Sequence, residues 1–370
     1  MRVMWLGTYE RAYPRARVLV AGLRELGIDV VEHHRPVWER SRHKAGAFLA
    51  PAPLAAAAAR FAGAWAGLAR EGLRERPVDA VVAGYLAQPD AVPAWCVARA
   101  RGVPLVADVM ISLADTLAGD RAVAGRGAAA ALAGVDRLTL RLADLVLADT
   151  RAGADWLSAR FGVPRARIAV VPVGAEPDRF PATPPPSGAP RALFYGKLAP
   201  LHGVATVLEA ARRPGVPPVR LIGDGQLGPW LEGELAAARP PGLTWERWVP
   251  YEALGGEVAA AAICLGVFGE SEKAARVVPN KVWQAMAAGR PVITADTPAV
   301  REVLADGRDA LLVPPGDPGA LATALARLAA DSGLRARLGE AARRTYLARG
   351  APAAAAAPLR DALAPLTFRA

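Results

Sequence analysis

The residues best suited to chemistry stand where a helix is predicted to begin in the second half of the chain. Asn280 occupies the position expected of a helix N-cap, and Lys281 follows it ahead of the apolar-periodic segment VWQAMAA. A helix N-terminus presents free backbone N–H groups and the positive end of the helix dipole, which attract anions. The positive charge of Lys281 opposes that dipole and therefore lowers the stability of the helix unless an anion lies nearby. The pair of residues thus indicates an anion-binding site. The alternative is a solvated lysine beside an ordinary cap.

The elements around this pair form one unit of a parallel sheet. Residues 263–268 are a short apolar run that predicts a buried strand, and residues 269–279 form a polar loop. Gly289 ends the helix before the next strand, PVIT. In such sheets, ligands bind beyond the carboxyl ends of the strands. The loop and the first turn of the helix are therefore predicted to line a binding crevice.

The same alternation of strands and helices runs through both halves of the 370-residue chain, which predicts an α/β fold with two domains. Residues 181–190, PATPPPSGAP, cannot hold a helix or a central strand and are predicted to be a linker. The predicted domains are residues 1–180 and 191–350, each with a doubly wound sheet. Residues 351–370 are rich in alanine and proline and form a tail.

The segment PNKVWQAMAAGRPVITADTPAVREVL, with DALLVPPGDPGAL after it, resembles the C-terminal signature of the retaining glycosyltransferases of family 4. The resemblance is closest to a subgroup with a KAxRVIPNKVxQALAxG-like motif. It covers the second half of the chain through specific motifs and the first half only through its pattern of elements. The resemblance implies the GT-B fold, in which two Rossmann-like domains face a cleft and the tail crosses back to the N-terminal domain.

The sequence departs from the family pattern at a pair of glutamates that the family carries eight residues apart. Arg276 and Gln284 stand in those two places. Gln284 can still hydrogen-bond a ribose hydroxyl, whereas Arg276 cannot act as a carboxylate on the donor sugar. Glu270 or Glu272 from the same loop could substitute, and the sequence leaves that question open. Arg276 is nevertheless a predicted catalytic residue, and Lys273 is a predicted donor contact, each through the sugar or the phosphates.

Two further cations follow the first strand of the second half, in the segment YGKLAPLHG. The resemblance aligns Lys197 with an arginine, and His202 with a lysine, that grip the donor diphosphate in the family. Fixed cations and helix N-termini stabilise the negative charge that develops on a departing diphosphate. The resemblance therefore implies catalytic roles for Lys197 and His202 and a donor contact at Gly196. The alternative for His202 is a loop histidine packed beneath the helix.

The nucleotide is expected against two other loops of the second half. Gly223 lies in a GDG turn that matches the family's GxGP segment beside the nucleotide, although such turns are common. Trp248 and Val249 belong to a segment against which nucleotide bases often lie in the family. The alternative for Trp248 and its neighbour Trp245 is simple packing on a core strand.

In the first half, polar residues follow two predicted strands. A glycine at position 7 allows a ligand to approach the backbone, and the resemblance places Gly7 and Thr8 in a loop that faces the acceptor and the sugar phosphates. Asp108 ends another strand, and Met110 stands where many relatives carry a histidine. Asp108 is therefore the predicted catalytic or acceptor contact on this side. The other polar candidates of these loops are Arg11, Arg15, Ser112 and Asp115.

Composition and spacing argue against several kinds of partner. The formal charge of +10 comes mainly from scattered arginines, so a nucleic-acid-binding tail is not expected. Cys96 and Cys264 lie in separate apolar runs and are predicted to be buried, reduced thiols. The histidines at positions 33, 34 and 43 have no evident further metal ligand nearby, and the chain has no Asp-x-Asp motif. We therefore expect neither a bound metal nor any other cofactor.

The N-terminal sequence leads directly into a strand, which predicts a cytoplasmic protein without a signal peptide. Residues 45–69 are interrupted by Arg60 and two prolines and do not predict a spanning helix. Residues 47–76 are predicted to form a helix that packs in the core. Basic residues just before it leave open a peripheral contact with the inner membrane face. These are Arg40, Arg42 and Lys44.

These features, with the resemblance, predict an enzyme that transfers a sugar from a nucleotide-activated donor to a glycan, lipid or small-molecule acceptor. The transfer is expected to retain the anomeric configuration and to need no metal. Two alternatives share the same features. One is a nucleotide-sugar epimerase or pseudo-glycosyltransferase on the same fold, and the other is a non-catalytic protein that binds nucleotide sugars.

Overall fold

The computed structural model describes residues 1–37, 51–122 and 125–367, with side chains omitted for residues 51–58. These residues divide into two compact units. The first comprises Met1–Pro172 and the segment that begins at Pro352, and the second comprises Val173–Ala351. His43, Phe48 and the basic residues Arg40, Arg42 and Lys44 lie outside the described residues.

The first unit is a six-stranded parallel sheet with helices on both faces. Its strands are β1 (Arg2–Gly7), β2 (Asp29–His34), β3 (Ala80–Ala83), β4 (Leu105–Asp108), β5 (Leu145–Ala148) and β6 (Ile168–Val170). The helices between these strands are α1 (Pro14–Glu25), α2 (Pro51–Arg74), α3 (Ala91–Arg101), α4 (Arg126–Leu142) and α5 (Arg151–Phe161). The strand order is β2-β1-β3-β4-β5-β6. Met4 and Leu6 belong to one core cluster, whereas Val3 and Trp5 belong to another. Both faces of the sheet are therefore buried, which explains the continuous apolar run in β1.

The second unit repeats this architecture. Its strands are β7 (Ala192–Tyr195), β8 (Val219–Ile222), β9 (Leu243–Glu246), β10 (Ile263–Leu265), β11 (Val292–Ala295) and β12 (Leu311–Val313). Its helices are α6 (Val204–Ala211), α7 (Gly228–Ala237), α8 (Leu254–Ala260), α9 (Asn280–Ala287), α10 (Pro298–Arg301), α11 (Pro318–Ala330) and α12 (Ser332–Arg349). All its strand pairs are parallel, in the order β12-β11-β10-β7-β8-β9. From β7 the next strands of the chain, β8 and β9, lie on one side, and from β10 the next strands, β11 and β12, lie on the other. The sheet therefore has a topological switch point between β7 and β10.

The C-terminal segment, predicted to return to the N-terminal domain, is helix α13 (Pro352–Thr367) of the first unit. Leu359 and Leu363 are fully buried in the same core cluster as Leu19 of α1. A Cβ atom built on Gly22 of α1 would lie 1.9 Å from the Pro352 carbonyl oxygen. Glycine at position 22 therefore allows the two helices to pack closely.

The proline-rich residues 181–190 belong to the second unit, because the chain divides after Pro172 and not at this segment. Arg290, which is only 2% exposed, binds them. Its Nη1 donates to the Thr183 carbonyl at 3.2 Å, and its Nη2 donates to the Pro184 carbonyl at 2.8 Å and to the Thr183 hydroxyl. Nη2 also donates to the Ala259 carbonyl at 2.9 Å. One guanidinium thus satisfies backbone groups that proline-rich chain cannot pair in regular structure.

We expect Arg290→Ala to lower the free energy of unfolding of the second unit by about 2 kcal/mol, because it leaves several partly buried carbonyl groups without a donor. Arg301→Ala is the matched control, since Arg301 is 68% exposed in its ion pair with Asp296 and such pairs contribute at most about 1 kcal/mol. Urea unfolding of both variants measures the difference. Equal losses would show that Arg290 does not anchor the segment.

Three large apolar side chains of helix α2 pack inward, whereas Leu73 near its end is 52% exposed. Phe61 and Leu68 are buried, and Trp65 packs against the same core cluster as Leu68 and donates from Nε1 to Asp90 Oδ1 at 3.1 Å. The prediction that this helix packs in the core is therefore confirmed for these residues. No helix in the described part of the chain is long and apolar enough to cross a membrane.

Of the two cysteines, only Cys264 is buried. The prediction of a buried thiol is wrong for Cys96, which is exposed on α3. Ala94, Val97 and Ala98 form the buried side of that helix, and position 96 points away from it. Burial raises the pKa of the Cys264 thiol to about 12, so it stays protonated.

Candidate active site

At the switch point of the second sheet, the chain that follows β7 lies beside the chain that follows β10. Gly196 and Lys197 come directly after β7, and the loop after β10 leads into α9. Ligands of doubly wound sheets bind at this position. The structure therefore brings the loop of residues 196–203 and the first turn of α9 together, as the sequence predicted.

Helix α9 begins one residue earlier than its predicted cap implies. Pro279 is the N-cap in an extended conformation, and Asn280 is the first helical residue. No side chain caps this helix end through a hydrogen bond. The prediction that Asn280 is the N-cap is therefore wrong, because Pro279 takes the extended backbone of the cap. Val282 N donates to the Pro279 carbonyl at 3.0 Å, and the backbone N–H groups of Asn280 and Lys281 are left for water or a ligand.

Lys281 is a buried lysine in the first turn of α9. The residue is 5% exposed, and its Nζ has no hydrogen-bond partner among the described residues. Nζ lies 4.0 Å from the ring centre of Phe194 on β7. Burial lowers the pKa of Lys281 to about 7, because the ammonium loses its hydration. The alternative of a solvated lysine is therefore excluded.

Gly196 separates Lys281 from His202. A Cβ atom built on Gly196 would lie 3.3 Å from Lys281 Nζ and 3.3 Å from His202 Cε1, and the φ of Gly196 is +135°. A side chain here would be strained and would enter the space between the two basic groups. A Cβ on Gly223 would lie 1.9 Å from the Gly196 carbonyl oxygen, so this second glycine lets the next turn pack on the first. Lys197 follows Gly196 and is exposed.

Gln284 takes part in a hydrogen-bonded network inside the second unit. The Tyr195 hydroxyl donates to Gln284 Oε1 at 2.7 Å, and Gln284 Nε2 donates to the Tyr251 oxygen at 3.1 Å. The Tyr251 hydroxyl in turn donates to Glu176 Oε2 at 2.6 Å. Burial, with Glu176 as a further cause, raises the pKa of Tyr251 far above its ordinary value, so its hydroxyl stays protonated. Gln284 is 2% exposed, and both ends of its amide are engaged within the protein.

This network explains why a glutamine stands where the family pattern has a glutamate. The single Tyr251 proton is given to Glu176, so the Tyr251 oxygen can only accept from residue 284. If residue 284 were a glutamate, its carboxylate and that of Glu176 would both need to accept the single proton of the Tyr251 hydroxyl. Glu176, Tyr195 and Tyr251 were missed by sequence reasoning, because their partners are 33 to 89 residues distant in the chain.

We expect Gln284→Glu to lower the free energy of unfolding by about 2 kcal/mol, because it leaves a buried carboxylate facing an oxygen that has no proton to donate. Adding Glu176→Gln should restore about half of that loss, since the Tyr251 hydroxyl can then donate to residue 284 and accept from residue 176. Chemical unfolding of both single variants and the double variant gives the coupling energy. Strictly additive losses would contradict this account of the network.

The loop before α9 carries the charged candidates for contacts with the donor sugar. Lys273 is 7% exposed, and the Arg276 side chain is 13% exposed and donates from Nη1 to Glu272 Oε2 at 3.3 Å. The Glu272 side chain is itself 91% exposed. Glu270 is exposed and lies against the turn at Gly316, where a built Cβ would be 2.4 Å from its carboxyl carbon. Glu270 and Glu272 are thus both exposed carboxylates of this loop, and the choice between them as the substitute for the family's glutamate stays open.

The two tryptophans near β9 differ in role. Trp245 packs against the core, donates from Nε1 to the Gly223 carbonyl at 2.8 Å and lies under Arg247. Trp248 is 65% exposed, and Val249 beside it is half-buried. The packing alternative therefore holds for Trp245, whereas Trp248 presents its side chain to solvent at the end of β9.

In the first unit, Asp90 binds the turn after β1. Thr8 donates to Asp90 Oδ2 from its backbone N at 2.6 Å and from its hydroxyl at 3.0 Å. A Cβ on Gly7 would lie 2.6 Å from the same oxygen. Burial raises the pKa of Asp90 to about 6, against the opposing effect of these hydrogen bonds. Gly7 and Thr8 are therefore engaged with a carboxylate of their own unit, which sequence reasoning missed.

Asp108 forms a fully buried ion pair with Arg15. Arg15 Nε lies 2.8 Å from both Asp108 oxygens, and neither side chain is exposed. Arg15 Nη1 donates to the Val171 carbonyl at 2.9 Å. The Ser112 hydroxyl donates to Asp136 at 2.6 Å. The structure contradicts the prediction that Asp108 contacts an acceptor, because this carboxylate balances a buried guanidinium.

His33 and His34, which were considered as metal ligands, each contact another group of the protein. His33 Nε2 lies 3.0 Å from Glu75 Oε2, and His34 Nε2 lies 2.6 Å from the Tyr9 carbonyl oxygen. Within the described ranges, no group of three or more histidine, cysteine or acidic side chains is arranged to hold a metal ion.

Comparison with known proteins gives two family matches. Residues 189–331 match the family described as glycosyl transferases group 1, and residues 13–174 match the glycosyl transferase 4-like domain. A D-inositol 3-phosphate glycosyltransferase from Xylanimonas cellulosilytica is 30% identical over 248 residues, which are 61% of this chain and 58% of that protein. The chain thus spans little more than half the length of this relative.

Solved structures define the class of the fold. Sucrose-phosphate synthase from Thermosynechococcus elongatus aligns over 100% of both chains, with a TM-score of 0.74 and 19% identity. The Anabaena protein HepE in complex with UDP-glucose aligns over 99% of this chain and 100% of its own, with a TM-score of 0.70 and 15% identity. The fold is therefore GT-B, with two Rossmann-like α/β units that each contain a parallel sheet. The predicted fold class is confirmed.

Proposed function

We propose that this protein is a glycosyltransferase that moves a sugar from a nucleoside diphosphate sugar to an acceptor, with retention at the anomeric carbon and without a metal. One observation carries the proposal. At the switch point of the second sheet, the uncapped start of α9 and the unpartnered amine of Lys281 meet a glycine that keeps the space beside His202 open. This is a basic, preformed receptor for the diphosphate of such a donor.

The residues of this receptor have distinct roles in the proposed reaction. As the bond between sugar and diphosphate breaks, negative charge grows on the diphosphate. Lys197, His202 and the N–H groups of α9 stabilise that charge, and they accelerate the reaction to the extent that they bind the departing diphosphate better than the intact donor. Trp248 offers an exposed aromatic face for the nucleotide base. Retention of configuration follows the family that the α9 motif resembles.

The family matches on both halves of the chain support the glycosyl transfer. HepE, whose complex contains UDP-glucose, shares the fold, which makes a uridine donor the first to test. For the acceptor we keep the chemical range predicted from the sequence, a glycan, a lipid or a small molecule. A cytoplasmic location remains part of the proposal, and peripheral contact with the inner membrane face stays the alternative that the sequence left open.

A thermal-shift screen with UDP, GDP, ADP and TDP tests the donor site. A ligand at a hundredfold its dissociation constant stabilises a protein by about 2.7 kcal/mol, and we expect one of the four to do so. Incubation of the matching nucleotide sugar with and without acceptors then tests the chemistry. Products that form without any acceptor would indicate an epimerase, and binding without turnover would indicate a non-catalytic sensor. No stabilisation by any of the four would overturn the proposal.

We expect turnover to persist in excess chelator, because basic side chains and helix N–H groups take the place of a metal at the diphosphate. The measurement compares initial rates with EDTA, with added magnesium and with added manganese. Rates within about twofold of one another are the expected result. Complete loss in EDTA that magnesium or manganese restores would show that the diphosphate chemistry is metal-assisted.

A further inference from the structure

Lys281 has an environment that favours its uncharged form in the empty site. Its amine lies over the ring of Phe194, and no hydrogen-bond acceptor reaches it among the described residues. The residue is 95% removed from solvent by its own fold, since only 5% of it is exposed. An ammonium group in such surroundings lacks both water and a counter-ion, and it gives up its proton more easily.

The groups that face this amine from β7 and the following loop add no negative charge. Phe194 on β7 offers the face of its ring, a cation–π partner that replaces neither the lost water nor a counter-ion, and the imidazole of His202 lies across Gly196 from Nζ. Lys197, in the same loop, is a second cation. On α9 itself, Gln284 is an uncharged amide that is bonded to the Tyr195 hydroxyl.

The loop before α9 contributes both signs of charge, but its carboxylates do not neutralise Lys281. Glu272 pairs with Arg276, and Glu270 lies against Gly316. Lys273 is a further cation of this loop. Burial is the cause of the lowered pKa of Lys281, and no described carboxylate offsets it.

A bound diphosphate changes this balance. It would bring two or more negative charges into the space beside Gly196, within a few ångströms of the amine. An opposite charge at about 4–6 Å favours the charged form of a lysine strongly, and more so in a site without water. The amine would then gain the counter-ion that its own fold does not provide.

We propose that at pH 8 Lys281 is a neutral amine in the empty site and takes up a proton from solvent when the donor diphosphate binds. Donor binding is thereby coupled to protonation of one side chain. This inference rests on the proposed function, because the ligand that drives the protonation is the diphosphate of the proposed donor. The proton goes from the buffer to Nζ, and no bond of the donor is made or broken in this step.

Titration calorimetry with UDP, or with the diphosphate that the thermal-shift screen selects, measures the coupling. The experiment uses the full chain at pH 8 in two buffers of different ionisation enthalpy, because the difference in heat gives the number of protons taken up. The terminal phosphate of the ligand, which titrates near pH 6, is already ionised at pH 8. A lysine with a pKa of about 7 is about 90% neutral there, so we expect an uptake of about 0.9 proton.

Three variants identify the group that accepts the proton. Lys281→Arg is charged at every pH of the experiment, and we expect it to bind with an uptake below about 0.2 proton. Lys281→Met cannot accept a proton, and we expect the same low uptake with affinity at least tenfold weaker. His202→Asn should bind more weakly, because the imidazole is itself a proposed diphosphate contact, but it should keep an uptake near 0.9 for each ligand bound. Between pH 8 and pH 9, the dissociation constant should rise almost tenfold in the wild type and stay within twofold in Lys281→Arg.

The outcomes separate this inference from the proposed function. Binding of the wild type with an uptake below about 0.3 proton at pH 8 overturns the inference alone. So does an uptake that both Lys281 variants retain, because another group then accepts the proton. Failure of every nucleoside diphosphate to bind overturns the proposed function and this inference with it.

Discussion

Replacing Lys197 with alanine is expected to lower kcat by on the order of a hundredfold or more, the scale seen when one preorganised charge donor is removed. Lys197 follows β7 at the switch point and is exposed, beside the glycine that adjoins Lys281 and His202. A cation at this place is expected to stabilise the departing diphosphate more than the bound donor, and only that difference accelerates the reaction. Steady-state kinetics at saturating donor measure the effect.

Two controls make the Lys197 result specific. Lys197→Arg keeps the charge and should keep most of the activity. Arg191→Ala removes an exposed cation just before the opposite end of the same strand, and its kcat should be unchanged. All three variants should unfold within about 0.5 kcal/mol of the wild type, since exposed side chains contribute little to the core. A folded Lys197→Ala enzyme with kcat within a few-fold of the wild type would remove Lys197 from the mechanism.

The fold could be predicted from the sequence because its signals are local. Apolar runs such as ICLGVF and RVMWL, separated by helices of regular period, predict strands buried on both faces. The crevice could be placed for the same reason, since Gly196, Lys197 and Lys281 stand at the ends of predicted elements. A doubly wound sheet brings such ends together without any further information.

The contacts within the site could not be predicted, because they join residues that are distant in the chain. Asp108 reads locally as a polar residue at a strand end, and only the fold shows that Arg15, 93 residues away, neutralises it. The environment of Gln284 likewise depends on Tyr195, Tyr251 and Glu176. A lysine in a first helical turn gives no local sign of being buried under Phe194. These features depend on which side chains pack together in the folded protein, and the periodicity and spacing of residues in the sequence do not predict that packing.

The domain boundary shows a related limit. Four prolines within residues 181–190 predict a linker, since this composition supports neither a helix nor a central strand. The segment does lack regular structure, but Arg290 binds its carbonyl groups and makes it part of the second unit. Composition predicts local conformation, whereas the contacts that tie the segment to the second unit come from a buried arginine 107 residues after Thr183.

Lys281→Met is expected to stabilise the ligand-free protein and to weaken donor binding. The pKa of Lys281 is lowered from 10.5 to about 7, and each pKa unit corresponds to about 1.4 kcal/mol, so the buried amine costs on the order of 4 kcal/mol at pH 7. Methionine has a similar length, carries no charge that must be buried and packs well against an aromatic ring such as Phe194. We expect the free energy of unfolding to rise by about 3 kcal/mol at pH 7.

The pH dependence gives the sign of this effect. Below pH 7 the lysine is protonated in both the folded and the unfolded chain, so the folded state bears the full cost of the buried charge. Between about pH 7 and pH 10.5 only the unfolded chain holds the proton, and the cost declines as pH rises. The gain from Lys281→Met should therefore shrink to below about 1 kcal/mol at pH 10. Urea unfolding at pH 7, 8.5 and 10 checks this trend.

Lys273→Met is the matched control, because Lys273 is also a buried lysine of this site but has interaction partners of its own. Its replacement removes those interactions and should not stabilise the protein. A lysine kept at position 281 against its own cost to the fold is best explained by a ligand that needs it, since function commonly retains residues that lower stability. A Lys281→Met protein that is no more stable than the wild type at pH 7, or that binds the nucleoside diphosphate equally well, would contradict that explanation.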